Sequence, residues 1–324
     1  MCTAISFSAK NHYFGRNLDL YYNYNEQIVI TPRNFCLNFR MEESQKNHYS
    51  IIGMATVEDG FPLYYDAMNE KGLAVAALNF PNNARYYRVE KGKINIAPFE
   101  LIPWILGSFG WVDEVEQAVK ALNLVDVSFS ADLPNSPLHW MISDKTDSLV
   151  LEPMEGGIKV HRNPLGVLTN NPPFEQQMLL LQNYSKLSPK NPEKTFSPRI
   201  KAKPYSLGLG GWGLPGDMSS PSRFVRAAFI KENSVCGSQE TDEIGQFFHI
   251  LTSVEQQNGV TEVEKGKFEY TLYSSCLSTF TGVYYYTTYQ NRSITAVDMK
   301  RENLNSSNLI FYDLVKDEKI TFQN

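Results

Sequence analysis

The chain has 324 residues, 42% hydrophobic and 20% charged, an ordinary globular composition with enough apolar material for a large core. A net charge of −5 without any long Lys/Arg block argues against nucleic-acid binding. No run of about 18 apolar residues marks a membrane span, and the first residues lack the basic and apolar regions of a signal peptide. The cytoplasm is the expected location.

Cys2 can become the first residue of the chain once Met1 is removed, because its side chain is small. One residue would then carry a nucleophilic thiol and, in its α-amine, a base that titrates near ~7.7–8.0. The alternation in Thr3-Ala4-Ile5-Ser6-Phe7-Ser8 predicts a strand that would hold this terminus still. His12-Tyr13-Phe14 reads as a second strand, followed by Gly15-Arg16-Asn17-Leu18-Asp19 at its end. Arg16 is placed to favour the thiolate and Asp19 to accept from the new amine. Their plainer reading is a strand-end ion pair or a solvated turn.

Further strands are predicted at 27–31 and 50–55, then a hairpin of 63–68 and 73–80 around the turn Asn69-Glu70-Lys71-Gly72. Asn79 stands at the end of that hairpin, either as a site residue or as a cap on the next turn. A buried helix is predicted over 99–109 and an amphipathic one over 113–122, acids first and Lys120 late. Strands return at 139–144, 148–152 and 157–161. His139 and His161 read as strand residues rather than catalysts or ligands.

Gly166-Val167-Leu168-Thr169-Asn170-Asn171-Pro172 reads as a strand ending in an Asn pair, with a helix from the prolines to about Leu187. Asn171 suits the N-cap; Asn170 is freer to donate to an oxyanion. Residues 188–204 read as a loop. The segment 208–213 matches G-x-G-x-x-G, but no buried strand precedes it and no helix follows, so it is a Gly-rich loop and not a dinucleotide site. Ser219 and Pro221 start a helix with Arg223 in its first turn, where a cation is unfavourable and invites a functional reason. Arg226 is expected to be structural. A helix from Thr241 to about Val254 and strands at 268–273, 282–287 and 294–297 finish the chain.

The cysteines at 2, 36, 236 and 276 show no metal-ligand spacing, so no metal or cofactor is expected and the thiols should be free. No sharp boundary appears, which suggests one domain over 1–324. The order of strands, helices, strands, helices, strands suits an α+β fold of two face-to-face antiparallel sheets with helices outside.

Several stretches together resemble one family: Met1-Cys2-Thr3, F-G-R-N-L-D ending at Asp19, N-E-K-G-L-A-V-A-A-L-N-F-P from Asn69 to Pro81, L-T-N ending at Asn170, and L-P-G-D followed by Ser222-Arg223-Phe224. They are similar to the choloylglycine hydrolases, which include bile salt hydrolases and penicillin V acylases. The resemblance implies the four-layer αββα sandwich of N-terminal nucleophile hydrolases, amide hydrolysis and a homotetramer. It implies Cys2 as nucleophile with Arg16 and Asp19 beside it. Asn79, through its backbone N–H, and Asn170, through its side-chain amide, would hold the oxyanion, and Arg223 would be a second arginine of the site. Bile salts conjugated to glycine or taurine are the expected substrates; Asn rather than Tyr at 79 leans that way from penicillin V. Leu18, Tyr24, Tyr65, Phe129, Leu133 and Leu138 are candidates for an apolar steroid pocket, or else plain core residues. A chain that kept Met1 would instead be a non-catalytic binder of steroids or acyl chains.

Overall fold

The computed structural model describes residues 1–193, 197–199 and 204–324. The chain opens with β1 (Cys2–Ser8), β2 (His12–Leu20), β3 (Gln27–Thr31), β4 (Ile51–Glu58), β5 (Phe61–Asn69) and β6 (Ala74–Asn79). A short parallel pair, β7 (Ile94–Ile96) and β8 (Leu122–Leu124), brackets helices α1 (Leu101–Ser108) and α2 (Val112–Ala118). Then come β9 (Leu138–Ser143), β10 (Ser148–Met154), β11 (Gly157–Arg162) and β12 (Val167–Leu168). Helices α3 (Phe174–Leu181), α4 (Ser220–Glu232) and α5 (Glu240–Thr252) follow. The chain ends with β13 (Thr261–Glu264), β14 (Lys267–Ser278), β15 (Val283–Thr288), β16 (Thr295–Asp298) and β17 (Ile310–Asp313).

Two antiparallel sheets form. One runs β12-β1-β2-β14-β15-β16, with β13 paired to β14; the other runs β11-β10-β9-β6-β5-β4-β3-β17. The two-residue period decides which side chains meet. On β6, Ala74, Ala76 and Leu78 face the other sheet, together with Ile28, Ile30, Ile52, Met54, Phe14 and Leu277. Val75, on the opposite face, packs with Val29 and Ile51 against Leu101, Ile102 and Ile105 of α1. Helices α4 and α5 cover the far side of the first sheet through Phe224, Ala227, Phe247 and Leu251. The layers are therefore helix, sheet, sheet, helix, the αββα sandwich expected from the sequence.

Small residues let strands approach. A Cβ on Gly15 would lie 2.0 Å from the Ser275 carbonyl of β14, and Gly72, at φ +90°, closes the β5–β6 turn.

Three expectations need correction. Arg16 to Asp19 form no turn: they lie inside β2, which pairs with β1 on one side and β14 on the other. The helix after the Asn pair begins at Phe174 and ends at Leu181, prolonged by a 3-10 turn over Gln182–Tyr184. Asn171 does not cap it. Its amide donates to the Pro81 carbonyl and its oxygen accepts from Asn83, so it ties two loops together. Of the loop expected over 188–204, residues 194–196 and 200–203 lie outside the described residues. The short strands β7, β8, β13 and β17 were not foreseen, because each is too brief to show a period.

Candidate active site

Cys2 is the first residue of β1 and sits opposite Leu18 of β2, with Ala4 opposite Arg16. Opposed residues share a face, so Cys2, Leu18 and Arg16 all point into the space between the sheets. Thr3, Asn17 and Asp19 point the other way, towards α4 and α5. Cys2 is 3% exposed. Its N–H donates to Asn170 Oδ1 at 2.8 Å.

The two arginines reach Cys2 from opposite faces of the sheet. Arg16 spans the gap to the second sheet, donating from Nη1 to the Tyr65 carbonyl at 3.2 Å and to the Ala77 carbonyl. Its Nη2 is buried without a hydrogen-bond partner. Burial opposes the Arg16 charge, but Cys2, Tyr273, Asp66 and Asp19 outweigh it and hold the guanidinium above its ordinary value. Arg223 enters from the first turn of α4. It donates to the Cys2 carbonyl at 2.5 Å, Thr3 Oγ1 at 2.6 Å and Asn170 Oδ1 at 2.8 Å. Burial draws it below its ordinary value, with Asp19 and Cys2 pulling back. The unfavourable helix-start position is thus exchanged for three acceptors on the nucleophile's own strand and loop. Arg226, one turn on, bonds the carbonyls of Ser253, Pro215 and Asp217 and touches none of these residues.

Asp19 is fully buried. Thr271 donates to its Oδ1 at 2.7 Å, while Oδ2 has no partner. Burial pushes its carboxyl above the usual range, against the pull of the chain's ammonium terminus and Arg223. Met1 lies alongside: its ammonium group donates to the Asp19 carbonyl at 2.9 Å and pairs with Glu269.

Asn79 ends β6 opposite Leu138. The Phe80 N–H donates to the Pro137 carbonyl at 2.7 Å, so the ladder turns the backbone groups of Asn79 to the other edge. There β5 has already parted from β6, whose pairing stops at Ala76. The Asn79 carbonyl accepts from Asn170 Nδ2 at 2.7 Å, so Asn79 and Asn170 adjoin. Ser220, at the start of α4, accepts the Asn170 N–H at 2.8 Å and fixes the loop. All six predicted polar residues therefore converge at one place: the start of β1 and the ends of β6 and β12.

The apolar candidates gather less completely. Leu18 adjoins Cys2, and Leu138 adjoins Asn79, by register. Thr56 Oγ1 links the Tyr24 carbonyl, at 3.1 Å, to the Tyr65 hydroxyl, at 2.8 Å. Phe129 clusters with Phe61 and Phe99, at centroid distances of 6.4 and 5.3 Å. Leu133 shares the Phe129 loop, where its N–H bonds Ser130 Oγ at 3.1 Å and its carbonyl accepts the Ser130 N–H at 3.4 Å. Sequence reasoning missed Phe61, Glu269 and Thr271. The first is one aromatic among many, and the others are polar strand residues without a local signal. Among the described residues no group of His, Cys, Asp and Glu forms a metal site.

The chain is similar to known proteins over its whole length. The model for the linear amide C–N hydrolases of the choloylglycine hydrolase family matches residues 2–312. A bile salt hydrolase/transferase of Lactiplantibacillus plantarum is 52% identical over 314 residues, covering 97% of each chain. A crystal structure of a mutant conjugated bile acid hydrolase from Clostridium perfringens superposes with a TM-score of 0.93 at 37% identity, covering all of both chains. A penicillin V acylase structure from Agrobacterium tumefaciens, at 18% identity and a TM-score of 0.78, covers 98% of this chain and 92% of that one and shares the fold. With a Cys-headed strand in an αββα sandwich and a family match from residue 2 to residue 312, the chain belongs to the choloylglycine hydrolase family and is an amidohydrolase acting on linear amides.

Proposed function

We propose that this enzyme hydrolyses the amide bond of bile acids conjugated to glycine or taurine, with Cys2 as its nucleophile. The observation that carries the reading is the setting of the Cys2 nitrogen. It donates to Asn170 Oδ1 at 2.8 Å, and the Met1 carbonyl of the same peptide accepts the Asp19 N–H at 3.1 Å. Loss of Met1 turns that nitrogen into an amine with buried acceptors around it, able to carry a proton between thiol and substrate. The 52% identity to a protein named for bile salts favours this substrate over penicillin V.

In the proposed reaction the Cys2 thiol passes its proton to the α-amine, Sγ bonds to the amide carbon and the π pair moves to oxygen. The Asn79 N–H and the second N–H of the Asn170 amide receive that oxyanion, each worth about 10²–10³ in rate. As the C–N bond breaks, the Cys2 ammonium gives its proton to the leaving nitrogen, and an acyl thioester stands. Water then attacks that carbon, its proton passes to the Cys2 amine, and the thiolate leaves. Arg223 fixes the Cys2 carbonyl and Asn170 throughout, and Arg16 supplies positive charge from the opposite face. Leu18, Tyr24, Tyr65, Phe129, Leu133 and Leu138 are proposed to bound the steroid. The assembly is proposed to be a homotetramer, checked by light scattering, and its location the cytoplasm; among the described residues no helix is long and apolar enough to cross a membrane.

The test combines intact mass with release of glycine and taurine from glycocholate and taurocholate, and with penicillin V as competitor, on one preparation. Loss of Met1 with rapid release of the amino acid is the expected result. Cys2→Ser should fold and lose at least about 10³ of the turnover, since an alcohol is a far poorer nucleophile at neutral pH. Near-parental turnover by that variant, or cleavage of penicillin V alone, would overturn the nucleophile or the substrate respectively.

A further inference from the structure

His139 on β9 is fully buried between the two loops that carry Asn79 and Asn170. Its ring lies parallel to Phe80, the residue after Asn79, with centroids 4.3 Å apart and planes 6° apart. Its Nε2 lies 2.8 Å from the carbonyl of Thr169, the residue before Asn170. A carbonyl only accepts, so Nε2 must carry hydrogen. Its Nδ1 lies 3.1 Å from Glu152 Oε1 on β10, an atom that also accepts the Phe174 N–H at 3.0 Å. One proton between Nδ1 and Oε1 satisfies both, so Glu152 determines which way the ring faces. The circuit closes on the other side, where Asn170 Nδ2 donates to the Asn79 carbonyl.

We propose that His139, oriented by Glu152, is a positioning residue that sets the spacing of Asn79 and Asn170. The assignment rests on the reading of those two residues as oxyanion donors. Gln177 holds the same loop from the helix side, through the Asn170 carbonyl at 2.6 Å. His139 is the support on the sheet side, touching Phe80 of one loop and Thr169 of the other. Glu152→Gln acts without emptying the core. A glutamine oxygen at that point draws the single N–H of a neutral imidazole away from Thr169, and a glutamine NH2 there cannot accept the Phe174 N–H, so one of the two contacts is lost. His139→Phe keeps the stack on Phe80 and removes the donor to Thr169.

The experiment uses full-length, Met1-processed enzyme with folding checked by near-UV circular dichroism. It compares parent, Glu152→Gln, His139→Phe and Asn170→Ala in three readouts. These are kcat and KM for glycocholate, inhibition by the aldehyde corresponding to the bile acyl group, and the rate at which iodoacetamide alkylates Cys2, read by peptide mass. The aldehyde bonds to Cys2 Sγ, and its oxygen enters the oxyanion position; alkylation makes no such oxygen. Glu152→Gln and His139→Phe should each lose about tenfold to a hundredfold in kcat, with KM within twofold. Aldehyde affinity should fall in parallel while alkylation stays unchanged. If aldehyde affinity survives in both variants but collapses in Asn170→Ala, the His139 assignment is wrong and the oxyanion reading stands. If Asn170→Ala also keeps aldehyde affinity and kcat, the oxyanion reading falls and takes this one with it. An equal loss of alkylation in folded Glu152→Gln would mean general disorder at Cys2 and would also overturn the assignment.

Discussion

At the scale of single residues, the site depends on charges buried next to acceptors. An arginine deprived of water keeps its charge only where oxygens replace the lost solvent. Arg223 does so with the Cys2 carbonyl, Thr3 and Asn170, whereas Arg226 does so with carbonyls of the adjoining loop and helix end. The two side chains stand one helical turn apart, yet they have different work. Arg223→Ala takes one donor from Asn170 Oδ1, which keeps the Cys2 N–H, and one from the Cys2 carbonyl. We expect kcat/KM to fall by about 10² or more. Arg226→Ala should leave kcat/KM within about threefold and instead cost roughly 1–3 kcal/mol of stability in urea unfolding. The reverse order would show that the wrong arginine had been assigned to the site.

Among the elements, the β1–β2 hairpin does two things at its two ends. One end presents Cys2. The other, about seven residues or roughly 23 Å of strand away, is anchored in the protein by His12. Its ring bonds Ser8 Oγ at 2.9 Å and Ser143 Oγ at 3.1 Å, linking the first sheet to β9 of the second. Burial holds the His12 imidazole down at about 4, with Asp144 pulling it up and Lys231 pushing it further down. A histidine whose folded value lies below its unfolded value of about 6.5 binds its proton more readily in the unfolded chain. The stability from keeping it neutral is complete above pH 6.5 and is lost as pH falls from 6.5 to 4. The full loss is on the order of 3 kcal/mol. Urea unfolding at pH 7 and pH 4.5 tests this: the parent should lose about 2 kcal/mol more across that interval than His12→Asn. Equal losses would place the acid sensitivity elsewhere.

For the whole molecule, a buried carboxylate helps to join the two sheets. Asp66 of β5 accepts from Tyr273 at 2.5 Å and Ser275 at 2.9 Å on β14, and from Tyr284 at 2.7 Å on β15. Ser275 Oγ also accepts the Arg16 N–H at 3.1 Å, which carries the network to the strand bearing the catalytic arginine proposed above. Burial pushes the Asp66 carboxyl up, and Arg16 and the three hydroxyls draw it back. Removing one donor leaves a buried acceptor short of its partner. Tyr273→Phe is therefore expected to lower global unfolding stability by about 1.5–3 kcal/mol, with a single cooperative transition. A loss below about 0.5 kcal/mol would mean that water or a neighbour replaces the hydroxyl.

Features set by neighbouring residues could be read directly along the chain. Alternation marked most of the longer strands, Gly72 and the polar turn before it marked a hairpin, and Ser219 with Pro221 marked the start of α4. Cys2, Arg16 and Asp19 could be put forward together because they fall within nineteen residues, and Asn79, Asn170 and Arg223 because each stands near a strand end or a helix start. What faces them comes from residues far away along the chain. Asp66 and Tyr273 are 207 residues apart, and Cys2 and Arg223 are 221 apart. His139 and Glu152 look like ordinary strand residues until strand pairing sets them beside Phe80 and Thr169. Asn171 reads as a cap because caps are local, but one distant loop offered it two better partners, Pro81 and Asn83. Periodicity and turn chemistry act over a few residues. The partner of a buried charge is chosen by which strands lie side by side, and that depends on the packing of the whole chain.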